Sequence, residues 1–156
     1  MNHSVKKGVS FGLTSGIVTT LGLMVGLNSG THARNVVLGG ILIIAVADAM
    51  SDAFGIHISE EAEFHHTQKE IWQSTLATFI SKLILASTFA VPILLADLQI
   101  AVIMNILWGF FLIIIMSLYI AKHQKISKWH VLTEHISITA LVIVVTYFLG
   151  AWVATL

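Results

Sequence analysis

Residues 35–58 read NVVLGGILIIAVADAMSDAFGIHI, and the reading of this stretch decides the fold. A bilayer-spanning helix needs about 20 apolar residues, and this run has the length. Two carboxylates, Asp48 and Asp52, interrupt it. They stand four apart and therefore on one helical face. An ionised Asp at membrane depth costs about 2.5–3.5 kcal/mol on insertion scales, so such residues face a bundle interior or a wet cavity. The helix is expected to continue past the membrane into residues 59–70, SEEAEFHHTQKE, a patch of carboxylates and imidazoles. An acidic path from mid-bilayer to such a patch predicts cation movement.

The remaining composition agrees with a membrane setting. The chain has 156 residues, 56% hydrophobic and 10% charged, with mean hydropathy +0.90. Soluble domains carry about 25% charged residues. The expectation is an all-α integral membrane protein, multi-pass and most simply in the cell membrane. Five transmembrane helices fit, at about residues 9–27, 35–58, 72–95, 100–121 and 129–154. Residues 1–156 then form one transmembrane domain, with a short acidic segment at residues 59–70. Zero formal net charge suggests no nucleic-acid partner. Cysteine is absent, which removes disulfides and thiol chemistry. No small-residue cleavage site follows the basic start, so the first helix reads as retained. Lys6, Lys7, Lys69, Lys122, Lys125 and Lys128 fall on one side and Arg34 on the other. The positive-inside rule then puts the N-terminus in the cytoplasm and the C-terminus outside.

Helix one carries Gly8, Gly12 and Gly16 at intervals of four, then Gly22, Gly26 and Gly30. Small residues at that spacing let helices approach closely in lipid; they serve either packing within the chain, or a subunit contact or pore-lining wall. In the polar segment, His57, Glu60, Glu61, Glu63, His65 and His66 form a candidate cytoplasmic vestibule. Helical spacing pairs His57 with Glu61, Glu61 with His65, and Glu63 with His66. Carboxylates and imidazoles suit first-row divalent ions; the alternative is a solvated helix end. Helix three holds Lys82, about 15 Å deep at 1.5 Å per residue, and Asp48 has the same depth. An Asp48–Lys82 pair, with Asp52 as second partner, lowers the cost of each charge; it is either structural or a competitor for a visiting cation. Pro92 falls near the end of helix three, where a lost backbone bond costs least. Asn105 reads as interhelical glue. Glu134 lies near enough to its helix end to snorkel. Trp72, Trp129 and Trp152 read as interfacial anchors.

The chain resembles the vacuolar iron transporter family, proton-coupled carriers that export Fe²⁺ or Mn²⁺ from the cytosol. Four patches carry the likeness: FGLTSGIVTTLGLMVGL in helix one, ADAMSDAFGIHIS in helix two, ATFISKLILASTFAVPILL in helix three and TYFLG in helix five. The resemblance implies a five-helix homodimer with an ion path between subunits, lined by helix one. The family's helix-one Asp aligns with Ser15, its helix-two Met with Asp52, and the following Glu with Ile56. Its cytoplasmic metal-binding helices shrink here to about a dozen residues. Met24 and Met50 remain as soft donors off the motif position.

Together these readings predict transport of a divalent cation, Fe²⁺ or Mn²⁺, out of the cytosol in exchange for protons. Asp48, Asp52, Ser15 and Met50 would form the ion pathway, with Lys82 as the coupling or ion-pair residue. The metal is cargo, and no permanently bound cofactor is expected. The competing expectation is a membrane scaffold or accessory protein in which Asp–Lys pairs hold helices together. Close, exclusive pairing of Lys82 with both Asp favours the scaffold; an Asp facing a polar cavity favours transport. No His-Glu-x-x-His spacing occurs, so an enzyme is not expected.

Overall fold

The computed structural model describes residues 3–63 and 65–156. Among the described residues six helices follow in order: α1 His3–Thr31, α2 Arg34–Ala62, α3 Gln68–Thr88, α4 Ala90–Leu95, α5 Leu98–Gln124 and α6 Lys128–Val153. Five segments of the described residues are long and apolar enough to cross a membrane, α3 and α4 counting as one, Gln68–Leu95. The chain is an all-α, multi-pass integral membrane protein, as its composition predicts. Its perimeter is apolar, with Ile43, Leu107, Leu141 and Phe148 among the exposed side chains. In water such a surface would drive aggregation; against lipid tails it carries no penalty.

The break between α3 and α4 differs from the single helix expected over residues 72–95. Pro92 has no amide to bond back one turn, and the helix breaks at Phe89 rather than fraying at its end. Asn105 of α5 braces the break: its Nδ2 donates to the Phe89 carbonyl at 2.8 Å and contacts the Met24 sulfur at 3.2 Å. Arg34 does the same for the end of α4, donating to the Ile93 carbonyl at 2.7 Å and to that of Ala96. A capping box starts α3, where the Thr67 and Glu70 side chains bond each other's backbone amides.

Helix α1 is the centre of the bundle and packs on α2, α3, α5 and α6. Its two glycine rows have different partners. A side chain at Gly8 or Gly12 would meet the backbone of Ser74 or Thr78 in α3, and one at Gly16 would meet Lys82. Gly26 and Gly30 lie against the backbone of Thr146 and Gly150 in α6. The first row therefore serves packing within the chain. Close approach sets directions: α1, α3 and α6 run parallel, while α2 returns antiparallel to α1. Ile17, Leu21, Met24, Ile41, Phe89, Ile93 and Ile113 fill the apolar core.

Candidate functional site: a charge centre between α1, α2 and α3

The tight turn at His32 and Ala33 sets α2 back against α1. In that register Ser15 faces Asp52, and the Ser15 hydroxyl donates to Asp52 Oδ2 at 2.6 Å. Gly16 brings α3 close enough for Lys82 to enter the same space. Lys82 Nζ lies 2.5 Å from an oxygen of each of Asp48 and Asp52, and it donates to Ser15 Oγ at 2.9 Å. Lys82 is 1% exposed, whereas the carboxylate side chains of Asp48 and Asp52 keep 24% and 19% exposure. The shared depth expected for Lys82 and Asp48 is realised, and Asp52 joins them.

The two acids are not equivalent. Asp52 is held by both hydroxyl and ammonium hydrogen bonds. Asp48 Oδ2 is buried and has the ion pair but no well-directed hydrogen bond. Two carboxylates against one ammonium leave one negative charge when all three are ionised. An uncompensated buried charge is costly, and either a proton or a further cation would relieve it. Asp48 also lines a groove of about 750 Å³ between α1 and α2, walled mainly by Leu23, Leu27, Gly39, Gly40 and Ile43. That groove is apolar, unlike the polar cavity that transport was expected to need.

Met50 does not join the centre. It is 60% exposed and lines a separate groove with Phe54, His57 and Trp72. On a helix, residues two apart do not share a face, and Met50 is two from each Asp. The donors at the centre are therefore oxygens.

The expected vestibule is divided. Glu60, Glu63 and His66 come together, with one possible donor atom from each within 4.8 Å of the others. His66 Nε2 lies 3.1 Å from Glu63 and 3.7 Å from Glu60. Lys7 of α1 supplies the positive charge, pairing with Glu60 and, at 3.3 Å, with Glu63. Glu60 is fully buried. The His66 hydrogen bond, and after it Lys7, hold the Glu63 carboxyl below the ordinary carboxylate range. His57 turns away to α3, its Nδ1 3.0 Å from Thr75 Oγ1 and its ring edge-on to Trp72. Thr75 gives its own proton to the Ile71 carbonyl, so His57 Nδ1 is the donor. Glu61 and His65 are exposed and outside the cluster. The sequence reading used Lys7 only for orientation. The signal was nonetheless present: Lys7 lies eight residues before Ser15 and Glu60 eight after Asp52, matching positions in an antiparallel pair.

The α6 polar residues form no comparable centre. Glu134 and His130 are exposed, 3.9 Å apart, and His135 Nδ1 contacts Ser117 Oγ of α5 at 2.9 Å. No family model matches the chain, and neither a curated protein nor a solved structure shows significant similarity to it.

Proposed function

We propose that the chain carries a divalent metal cation across the membrane in exchange for protons, with Asp48, Asp52 and Ser15 as its oxygen donors. The observation that supports this reading is the Asp48–Asp52–Lys82 centre itself, two carboxylates on one ammonium with both acids partly open, within helices long and apolar enough to span a membrane. Lys82 is the competitor: its ammonium and an entering cation seek the same carboxylate oxygens. With Met50 on another face, an all-oxygen donor set favours Mn²⁺ over the softer demands of Fe²⁺. The lysine-rich ends favour a cytosolic N-terminus by the positive-inside rule, and export from the cytosol follows the resemblance. A homodimer belongs to the same reading, because a second copy over the α1–α2 groove would shield Asp48 from lipid.

A second reading has its own support. Lys82 is buried and close to both acids, and the neighbouring groove is apolar. A membrane scaffold or accessory protein would use the centre as an interhelical tie. Proteoliposomes decide between the two. Uptake of Mn²⁺, Fe²⁺, Mg²⁺ and Zn²⁺ is followed with the internal pH recorded. Transport predicts flux of Mn²⁺ or Fe²⁺ with a proton counterflow, abolished by Asp52→Ala while assembly is kept. Flux unchanged in Asp52→Ala removes the centre from the mechanism; no flux of any ion leaves the scaffold.

A further inference from the structure

The end of the bundle that holds Lys7 and Glu60 is divided in charge. Its α1–α3 half sets Lys6, Lys7 and Lys69 against Glu60, Glu61, Glu63 and Glu70. The α5–α6 turn lies at the same end, because α6 runs parallel to α1, and its balance is different. No acid occurs between Asp97 and Glu134, while Lys122, Lys125 and Lys128 cluster where α5 gives way to α6. Lys125 caps α5 in the left-handed conformation, with φ 56°, and its amide and that of Ile126 both bond the Ala121 carbonyl. The chain reverses within three residues, so the two helix ends stand side by side. Residues 122–130 are all exposed. Among the described residues the ion-paired lysines are Lys7 and Lys82, and none of these three has a carboxylate partner. The Lys128 ammonium lies 5.9 Å from the centre of the Trp129 ring.

Two observations make lipid the fitting partner. Ile126 and Trp129 stand exposed among the lysines, and a tryptophan at a helix end sits at headgroup level. Helix α6 buries only Val131 and Thr139, so most of its surface meets the bilayer. Lysine stems cover apolar surface while their ammonium groups stay in the polar layer, where the available anions are lipid phosphates.

We propose that the α5–α6 turn binds the headgroups of anionic phospholipids through Lys122, Lys125 and Lys128, with Trp129 seated among them. The site is separate from the Asp48–Asp52–Lys82 centre and stands whether or not the chain transports. Each lysine near an anionic leaflet is worth about fivefold in affinity, and salt screens the attraction.

A fluorophore on Thr133→Cys, the single cysteine of that variant, reports nearby lipid by energy transfer. The full chain is reconstituted in phosphatidylcholine vesicles with a trace of acyl-labelled phosphatidylglycerol, or of acyl-labelled phosphatidylcholine. The anionic label should be enriched about tenfold or more over the zwitterionic one, and high salt should reduce the enrichment. Lys122→Gln, Lys125→Asn and Lys128→Gln together should abolish it; Asn tolerates the left-handed cap, so the turn is kept. Arginine at all three positions should retain it, as should Lys6→Gln with Lys69→Gln, two exposed lysines at the same end. Equal enrichment of both labels, or enrichment that survives the triple variant, overturns the site. So does an equal loss in the Lys6 and Lys69 variant, which would mean bulk charge alone. Inorganic phosphate that removes the enrichment at constant ionic strength assigns the lysines to a free anion and overturns the lipid. Should the triple variant fail to fold, Lys128→Gln alone decides, with about a fivefold loss expected and no loss refuting the site.

Discussion

Removing the ammonium from the charge centre should destabilise the protein more than removing either acid. The parent centre holds two carboxylates and one ammonium within 2.5 Å contacts, a count of one negative charge when all three are ionised. Lys82→Met keeps most of the side-chain volume and leaves both acids without their shared partner. Breaking a buried ion pair in this way costs about 3–5 kcal/mol. For a chain of this size each kcal/mol shifts the melting temperature by about 2–4 °C, so a fall of about 6–20 °C is expected. Asp52→Asn has the opposite electrostatic sign, because it leaves one acid against one ammonium. Its amide can still accept from Ser15, and a net change within about 1 kcal/mol follows from exchanging one hydrogen bond for a weaker one. The triple variant Lys82→Met, Asp48→Asn, Asp52→Asn has no charge left to compensate. It should recover most of the loss, since neutral replacement of a buried ion cluster is often neutral or stabilising. The measurement is thermal unfolding in detergent by tryptophan fluorescence near neutral pH, at low and high salt. Because Lys82 is buried, salt should change the series little. A Lys82→Met protein melting with the parent, or a triple variant no better than Lys82→Met, refutes the charge count.

Three further outcomes follow from the packing. Gly8→Ala should cost about 1–3 kcal/mol by overpacking, since its new methyl meets the Ser74 backbone, while Gly39→Ala meets nothing and should gain about 0.5–1 kcal/mol of helix propensity; paired melting curves check the contrast. Asn105→Leu removes the side-chain donor to the Phe89 carbonyl and should cost about 0.5–1.5 kcal/mol, read as faster amide exchange around the α3–α4 break. Glu63 has a lowered folded-state pKa, so its contribution is fully present above the unfolded carboxylate range and is lost as pH falls through the folded value. The melting difference between parent and Glu63→Gln should therefore shrink as pH falls through the ordinary Glu range and disappear in stronger acid; a difference that is unchanged through that range contradicts the assignment.

The sequence alone determined the membrane class, the number of helices long and apolar enough to span, and the level along the helices at which Asp48 and Lys82 meet. These follow from one-dimensional quantities: the length of apolar runs and the rise of a helix per residue. Asp48 and Lys82 could be matched because both depths are counted from a helix end. Asn105 read as glue for the same reason, being the strongly polar residue of an apolar helix. What lies across a helix interface is another matter, because it depends on rotation and register between helices. Tertiary structure alone decided that one ammonium serves both acids, that Met50 faces away from them, and that His57 leaves the vestibule for Thr75. It also placed Lys7 on Glu60, a contact set by the short α1–α2 turn and the close glycine packing of α1 on α3. Local spacing says which residues share a face; only the packed bundle says what that face meets.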